Sequence, residues 1–293
     1  MAILHETSIA VDFFVKELKP EFSLFITNFT EVQKISIKCS VYCSEETATL
    51  LKRNKIVSSS LIKVLSLGKT NISINYKDEW YVVRVTTIKS KHCVGSLMFL
   101  FEGFFGKVLY TGSFVYFPAL YQSIRNERGR KTIDTVYFDN TFAEVDICFP
   151  TLQVCLIDIL KLIRTYKEVV IALDSYFLKC EFVVAIANQL HQKIYVEEEL
   201  YEILLQKKYP VEHFSRDDVS CSIHVQPLYF FREENYIKHV LTTGKKIIIP
   251  TTIDFETRAI DHIFSKKIRG VHVVPYPLHP TYAELEQFFR YIR

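Results

Sequence analysis

The spacing of apolar residues changes once along this chain, near Thr151, and the change limits the folds open to it. Up to residue 150, short apolar runs alternate with turn residues, a pattern typical of β-strands. The runs include IAVDFF, SLFITNF, ISIKCSVYC and WYVVRVTTI. One helix is predicted at residues 44–55, where a serine cap precedes two glutamates and an apolar face. We therefore expect a strand-rich segment with a single helical interruption.

From Thr151 onward, helical and strand patterns alternate, which is typical of an α/β module. The predicted helices are LQVCLIDILKLIRTY, FVVAIANQLHQ and EEELYEILLQKK, and the predicted strands between them are EVVIALDS and KIYV. After residue 211, further strands are predicted at SIHVQPL, KKIIIPTT and VHVVPY, with a helix near residues 233–241. The chain closes with the amphipathic helix AELEQFFRYIR.

Composition indicates an ordinary globular protein that stays inside the cell. The formal charge of +3 is too small to indicate nucleic-acid binding by itself. Seven cysteines, an odd number without a CxxC pair, favour a reducing compartment. Acidic Glu6 and Asp12 argue against a secretory signal. Glu102 and Lys107 interrupt the apolar region 94–121, which therefore predicts a buried hairpin and no membrane span.

Four separated motifs resemble one known family. They are IAVDFF near the start, GSLMFLFEGFFGKVLYTGSF, TVYFDNT, and VPYPLHPTYAEL near the end. Together they resemble the Apollo and Artemis group of DNA cross-link repair nucleases, and DNT at residues 139–141 favours the Apollo branch. The resemblance implies an α/β fold: a metallo-β-lactamase-like αββα sandwich formed by residues 1–150 and 251–293, with a β-CASP-like α/β domain inserted at residues 151–250.

The family's metal ligands are mostly replaced in this chain. The resemblance implies two zinc ions held by HxHxDH, a histidine before CPGS, the aspartate of TGDF and a histidine near the C-terminus. Aligned without a gap, SLFITNFTEVQ places neutral residues at the first four ligand positions, and the TGDF position is neutral as well: Asn28, Thr30, Val32, Gln33 and Ser113. His92 and His279 remain, together with Asp12 and Asp139 from the family's outer motifs.

These replacements predict that the chain holds no zinc and has no catalytic residues. Two histidines do not make a dinuclear site, and outer carboxylates orient ligands without replacing them. Glu31 is the one anionic newcomer in the altered loop, but it falls between former ligand positions. We expect His92 and His279 to be partly buried and hydrogen-bonded. Asp12 and Asp139 are expected to accept backbone N–H bonds or cap turns. On this hypothesis, Asp139→Asn should leave function largely intact.

A phosphate-binding motif of the family is altered as well. The resemblance implies SxGKE at the start of a β-CASP helix, and the matching segment here is YFLKC, which keeps only Lys179. Bulky Leu178 replaces the glycine, so we expect a blocked or reshaped pocket for a 5′ end. Possible DNA contacts are Lys179, Arg125, Arg128, Arg130 and Lys131, although basic clusters of this kind more often form a solvated surface.

The leading hypothesis is therefore a catalytically inactive, nuclear Apollo-like protein. It would bind a protein partner or DNA ends in DNA repair or in a chromosome-end (telomere) complex, without cofactor and without membrane contact. Because the sequence ends shortly after His279, we expect any docking surface to lie on the folded body. The alternative is an active metal-dependent 5′-exonuclease with a remodelled site around His92, Asp139 and His279. For an unrelated hydrolase, no nucleophile with an adjacent base can be identified.

Overall fold

The computed structural model describes residues 1–15, 18–32, 37–129, 132–144, 149–230, 238–240, 242–252 and 269–292. The chain divides into two compact units. The first comprises Met1–Glu144 and Leu278–Arg293, and the second comprises Val145–Pro277. Among the described residues, no helix is long and apolar enough to cross a membrane.

The first unit contains two five-stranded sheets. The first sheet has the order β1 (Ala2–Ile3), β2 (Ile9–Val11), β3 (Ser23–Phe25), β4 (Ser40–Cys43) and β5 (Ile62–Val64). The second sheet has the order β10 (Thr135–Tyr137), β9 (Gly106–Tyr110), β8 (Leu97–Gly103), β7 (Glu79–Lys89) and β6 (Gly68–Tyr76). Strands β6 to β9 pair antiparallel, whereas β10 runs parallel to β9. The hairpin predicted from the apolar region 94–121 is formed by β8 and β9.

The first unit has four layers, and buried apolar side chains fill the three spaces between them. One apolar cluster joins the inner faces of the two sheets, with Phe25 from β3 against Phe99 and Phe101 from β8. A second cluster lies between the first sheet and helix α1 (Glu45–Arg53). A third lies between the second sheet and two helices, α2 (Pro118–Arg128) and α6 (Tyr282–Ile292). The order helix, sheet, sheet, helices is the αββα sandwich that the resemblance implied.

Local sequence accounts for most of these helices. Ser44 accepts a hydrogen bond from N of Thr47 at 3.1 Å and so caps α1 as predicted. Helix α2 was not predicted, because its segment was interpreted only as a basic cluster. Its apolar residues Leu120 and Ile124 are buried against the second sheet, and Pro118 suits the first turn.

The second unit contains a six-stranded parallel sheet. Its order is β13 (Phe214–Ser215), β12 (Ile194–Val196), β14 (Ile223–Pro227), β11 (Val169–Leu173), β15 (Lys246–Pro250) and β16 (Val271–Val274). Its longer described helices are α3 (Leu152–Tyr166), α4 (Tyr176–Leu190) and α5 (Glu198–Gln206). Helix α4 begins earlier than predicted, because Ser175 caps it by accepting a hydrogen bond from N of Leu178 at 3.3 Å. The helix predicted near residues 233–241 lies largely outside the described residues.

The second unit extends further along the chain than the sequence boundary at residue 251 implied. Strand β16, which the sequence analysis assigned to the first domain, pairs with β15 from Ile247↔Val271 to Pro250↔Val274. Main-chain hydrogen bonds to β15 therefore place β16 in the sheet of the second unit. The return to the first unit comes at Leu278.

Candidate functional site

Asp12 lies at the carboxyl end of β2 and is bonded to the chain that follows β3. Its carboxylate accepts a hydrogen bond from N of Thr27 at 2.9 Å and another from Oγ1 of Thr27 at 2.7 Å. Both residues are buried. Asp12 therefore fixes the entry to the loop that carries the former zinc-ligand positions, and it does so partly through a backbone N–H, as the sequence analysis expected.

The replaced ligand positions in this loop now make structural contacts. Asn28 is fully buried and caps a 3-10 turn, Phe29–Glu31, by accepting a hydrogen bond from N of Thr30 at 2.9 Å and a short one from Oγ1 of Thr30. Its Nδ2 donates to Oγ1 of Thr27 at 3.2 Å. Val32 is partly buried and packs against the apolar cluster beneath α1. Gln33 lies outside the described residues.

Asp139 gathers donors from three directions. Oδ1 accepts from N of Thr141 at 3.1 Å and from Oγ1 of Thr141 at 2.6 Å. Oδ2 accepts from N of Phe114 at 3.3 Å and lies 2.7 Å from Nδ1 of His279. Burial alone would raise the pKa of Asp139, but the hydrogen bonds from His279 and Thr141 bring it below its usual value. Asp139 is therefore held as a carboxylate.

The two retained histidines are neighbours. Their ring centroids lie 4.9 Å apart, and Nδ1 of His92 donates to the carbonyl oxygen of Leu278 at 3.0 Å. Burial, with a smaller contribution from His279, lowers the pKa of His92 from 6.5 to about 4. His92 is therefore neutral at physiological pH, and both histidines are hydrogen-bonded as expected from the sequence.

Residues 111–114, TGSF, approach Thr27 at one end and Asp139 at the other. Gly112 has a positive φ of 54°, and a Cβ built there would lie 2.8 Å from the side chain of Thr27, so the close approach requires glycine. Two residues later, N of Phe114 bonds to Asp139. Ser113, the position of the family's bridging aspartate, therefore stands between the Asp12–Thr27 contacts and the Asp139–His279 contacts.

The donor set does not fit a pair of zinc ions. Zinc in proteins is held by thiolate, imidazole and carboxylate groups. Two of the family's seven ligand positions keep such a group, namely His92 and His279. Over the described ranges, no group of three or more His, Cys, Asp or Glu side chains is arranged to hold a metal ion. What the site offers instead is a hydrogen-bonded cluster of a carboxylate, two imidazoles and several hydroxyls.

Lys179 does not reach the surface, contrary to the DNA contact considered for it. Its side chain is 2% exposed, and Nζ lies 2.5 Å from Oδ1 of Asp174 and 2.6 Å from the carbonyl oxygen of Pro250. Asp174 also accepts a hydrogen bond from Oγ1 of Thr251 at 3.1 Å. Burial lowers the pKa of Lys179, although Asp174 opposes that shift. The ammonium group ties the first turn of α4 to the ends of β11 and β15 within the second unit.

The remaining predicted DNA contacts belong to α2 and the chain after it. Arg125 is exposed on α2, and Arg128 is the last residue of that helix. Arg130 and Lys131 lie outside the described residues. Thr27 and Thr141, by contrast, were missed by the sequence analysis although both bond to the site carboxylates. Thr141 carried a usable signal, because it follows Asp139 at the spacing of an Asx turn.

An αββα sandwich joined to a parallel α/β unit, with Asp12, His92, Asp139 and His279 in the sandwich, defines the metallo-β-lactamase/β-CASP class. The chain is 29% identical over 301 residues to the 5′ exonuclease Apollo of Rattus norvegicus and equally to that of Mus musculus, covering 99% of this chain and 53% of each relative. It is 25% identical over 308 residues to the protein artemis of Homo sapiens, covering 88% of this chain and 40% of that relative. The chain is thus similar to the Apollo and Artemis proteins, as its motifs indicated, and it spans about half the length of the Apollo proteins it matches.

A solved structure has a similar fold. It is a protein of unknown function from Enterococcus faecalis V583, with a TM-score of 0.61 and 13% sequence identity. The similarity covers 92% of this chain and 73% of the other. No protein-family model matches the chain. The solved structure supports the α/β fold class predicted from the motifs.

Proposed function

We propose that this Apollo-like protein acts in DNA repair or chromosome-end maintenance in the nucleus without cutting DNA. It would bind a protein partner or DNA ends and would need no zinc. The nuclear repair role rests on similarity to the Apollo and Artemis proteins, which are longer than this chain. The absence of catalysis rests on the chain's own residues at the family's ligand positions.

The main support is the use that the chain makes of the altered loop. Asn28 has its Oδ1 bonded to Thr30 and its Nδ2 bonded to Thr27, and Val32 packs against apolar side chains. A two-metal hydrolase needs its ligands free to bind the ions that activate water and stabilise the leaving oxygen. Here the corresponding side chains stabilise the loop by capping and packing, so the fold does not depend on metal at these positions.

One observation favours the alternative, an active 5′-exonuclease with a remodelled site. Nδ1 of His92 donates to a backbone carbonyl and Nδ1 of His279 lies against a carboxylate. Metal-binding histidines commonly make such a contact through one ring nitrogen, which orients the imidazole. Under this alternative, one metal ion bound by the two imidazoles would have to support hydrolysis.

Zinc content and nuclease activity distinguish the two functions. For the inactive protein, we expect no stoichiometric zinc after purification and no degradation of single- or double-stranded DNA with added Zn²⁺, Mg²⁺ or Mn²⁺. The matched control is the His92→Ala, His279→Ala double variant, which should behave like the wild type in both assays. Metal-dependent cleavage by the wild type that the double variant lacks would establish the exonuclease instead.

DNA binding is tested separately, by fluorescence anisotropy with an open-ended duplex and with a hairpin-closed duplex. If the protein binds DNA through α2, Arg125→Glu should weaken binding and reduce its salt dependence. Arg164→Glu, an equal charge reversal at an exposed position of α3, is the control and should have little effect. DNA binding that neither substitution changes would show that the DNA surface is not on α2, and a protein that binds neither duplex would favour a protein partner.

A further inference from the structure

Strand β6 forms an unusually regular open edge of the second sheet. Its nine residues pair with β7 in an unbroken register from Gly68↔Thr87 to Tyr76↔Glu79. It stands last in the strand order, and no other described strand pairs with it. Natural proteins usually protect such an edge with bulges, prolines or very short strands, because open main-chain groups invite another strand. β6 has no proline and no break in its register.

The turn after β6 decides which of its main-chain groups face the open edge. Lys77 and Asp78 have φ values of 53° and 65°, as in a two-residue type I′ hairpin, whose flanking pair exchanges hydrogen bonds. Hydrogen-bonded pairs alternate along an antiparallel ladder, so Tyr76 and every second residue before it bond to β7. The residues between them direct N–H and C=O groups to the open edge: Lys69, Asn71, Ser73 and Asn75.

Large apolar side chains lie exposed beside this edge. Helices α2 and α6 cover one end of the outer face of β7, where Ile88 and Thr86 are buried. Beyond Thr86 the same face leaves Val82 at 67% and Trp80 at 72% exposure. Trp80, the one tryptophan of the chain, pairs with Asn75 across the hairpin. Small polar side chains of β6 thus separate an exposed indole from the open edge.

We propose that β6 is a dimer interface, pairing antiparallel with β6 of a second copy of this chain about a two-fold axis at Ile72. The pairing would join two five-stranded sheets into one continuous sheet. This inference is independent of the proposed function.

The register follows from the strand itself. Edge-facing residues must meet edge-facing residues, and centring on Ile72 does so over the whole length of β6. Lys69 then lies opposite Asn75 of the second copy, and Asn71 lies opposite Ser73 of the second copy. No like charges meet across the interface, which would destabilise it. On the inner face, buried Ile72 meets its own copy, so the apolar layer continues across the axis.

The same register covers Trp80. Its cross-strand neighbour Asn75 lies opposite Lys69 of the second copy, so indole, amide and lysine fall in one row across the joined sheet. In each chain, Nζ of Lys69 lies 3.2 Å from Oε2 of Glu127 on α2. On dimerisation, the lysine of the second copy would exchange this ion pair for the indole, extending over the short Asn75 side chain to the indole face to form a cation–π contact. The edge matches its own copy in hydrogen-bonding pattern, brings no like charges together and covers the indole, so a second copy is the best-fitting occupant.

The first test compares two substitutions at one edge-facing residue. Ser73→Pro removes an N–H that points to the open edge and leaves the β6–β7 ladder intact, whereas Ser73→Ala keeps that N–H. Sedimentation between about 1 and about 200 μM should show a dimer for the wild type and for Ser73→Ala, and a monomer for Ser73→Pro. Circular dichroism and the melting temperature check that Ser73→Pro folds. Trp80 emission should shift to shorter wavelength on dimerisation.

The second test checks the register. Chains carrying Asn71→Lys with Ser73→Lys, or Asn71→Glu with Ser73→Glu, place like charges opposite each other and should be monomers. An equimolar mixture of the two should form a heterodimer, because each Lys then faces a Glu. A wild type that stays monomeric throughout the concentration range would overturn the proposal. So would a dimer that persists in folded Ser73→Pro, or charge-pair variants that fail to combine.

Discussion

Nδ1 of His279 lies 2.7 Å from Oδ2 of Asp139, and Asp139 in turn holds the turn at Thr141 and the backbone at Phe114. A single carboxylate thus links α6, through the loop before it, to the chain after β9 and β10. These contacts give both residues a structural role that needs no metal. They also allow the function of the site to be tested by substitution.

Asp139→Asn should destabilise the protein by about 1–3 kcal/mol, because its amide cannot accept from donors on both sides. If Oδ1 keeps the Thr141 contacts, the new NH₂ group faces N of Phe114. From sequence alone, Asp139→Asn was expected to leave function largely intact; the donors at both carboxylate oxygens add a cost in stability. Chemical denaturation measures the loss. Asp134→Asn is the control, since exposed Asp134 accepts at one oxygen from N of Lys107 and should change stability little. Equal effects of the two substitutions would contradict the prediction.

Acid should weaken the fold through His92. The folded-state pKa of about 4 lies below the ordinary 6.5, so the unfolded chain takes up a proton that the folded chain excludes. The stabilisation is fully present above pH 6.5 and is lost as pH falls towards 4, by on the order of 3 kcal/mol. Unfolding free energies measured across this window should fall more steeply for the wild type than for His92→Gln. Parallel curves would show that His92 titrates normally.

Restoring the family's ligands should restore zinc binding. The variant carries Asn28→His, Thr30→His, Val32→Asp, Gln33→His and Ser113→Asp. Without zinc it should melt at a lower temperature than the wild type, because the cap at residue 28 and the packing at residue 32 are lost. With zinc it should bind about two ions per chain and melt higher. The same variant with His92→Ala and His279→Ala is the control, and equal zinc content in both would refute the prediction.

Lys179→Met should destabilise the second unit by about 1–3 kcal/mol, because it leaves the Asp174 carboxylate and the carbonyl oxygen of Pro250 without their ammonium donor. The control is Lys161→Met, which removes an exposed ion pair with Asp158 and should cost less than about 1 kcal/mol. Thermal and chemical unfolding measure both. A Lys179→Met protein of unchanged stability would show that the ion pair is not what joins α4 to β11 and β15.

The sequence alone determined the elements whose signals are local. The predicted helix LQVCLIDILKLIRTY coincides with α3, because Thr151 caps it and its apolar residues recur at helical spacing. The hairpin of β8 and β9 followed from apolar runs divided by Gly106, whose φ is 94°. The αββα architecture followed from motifs that keep their order along the chain.

The tertiary structure decided the features that depend on residues far apart in sequence. β16 belongs to the second unit because β15 offers it a ladder, and nothing within VHVVPY indicates which strand will be its neighbour. Lys179 is buried, and its ammonium group contacts Asp174 and the carbonyl oxygen of Pro250, although the sequence suggested it as a possible DNA contact. The spacing of apolar and capping residues reflects hydrogen bonds and packing within one helix or strand. Pairing between distant strands and the burial of a charged side chain depend on how separate elements meet.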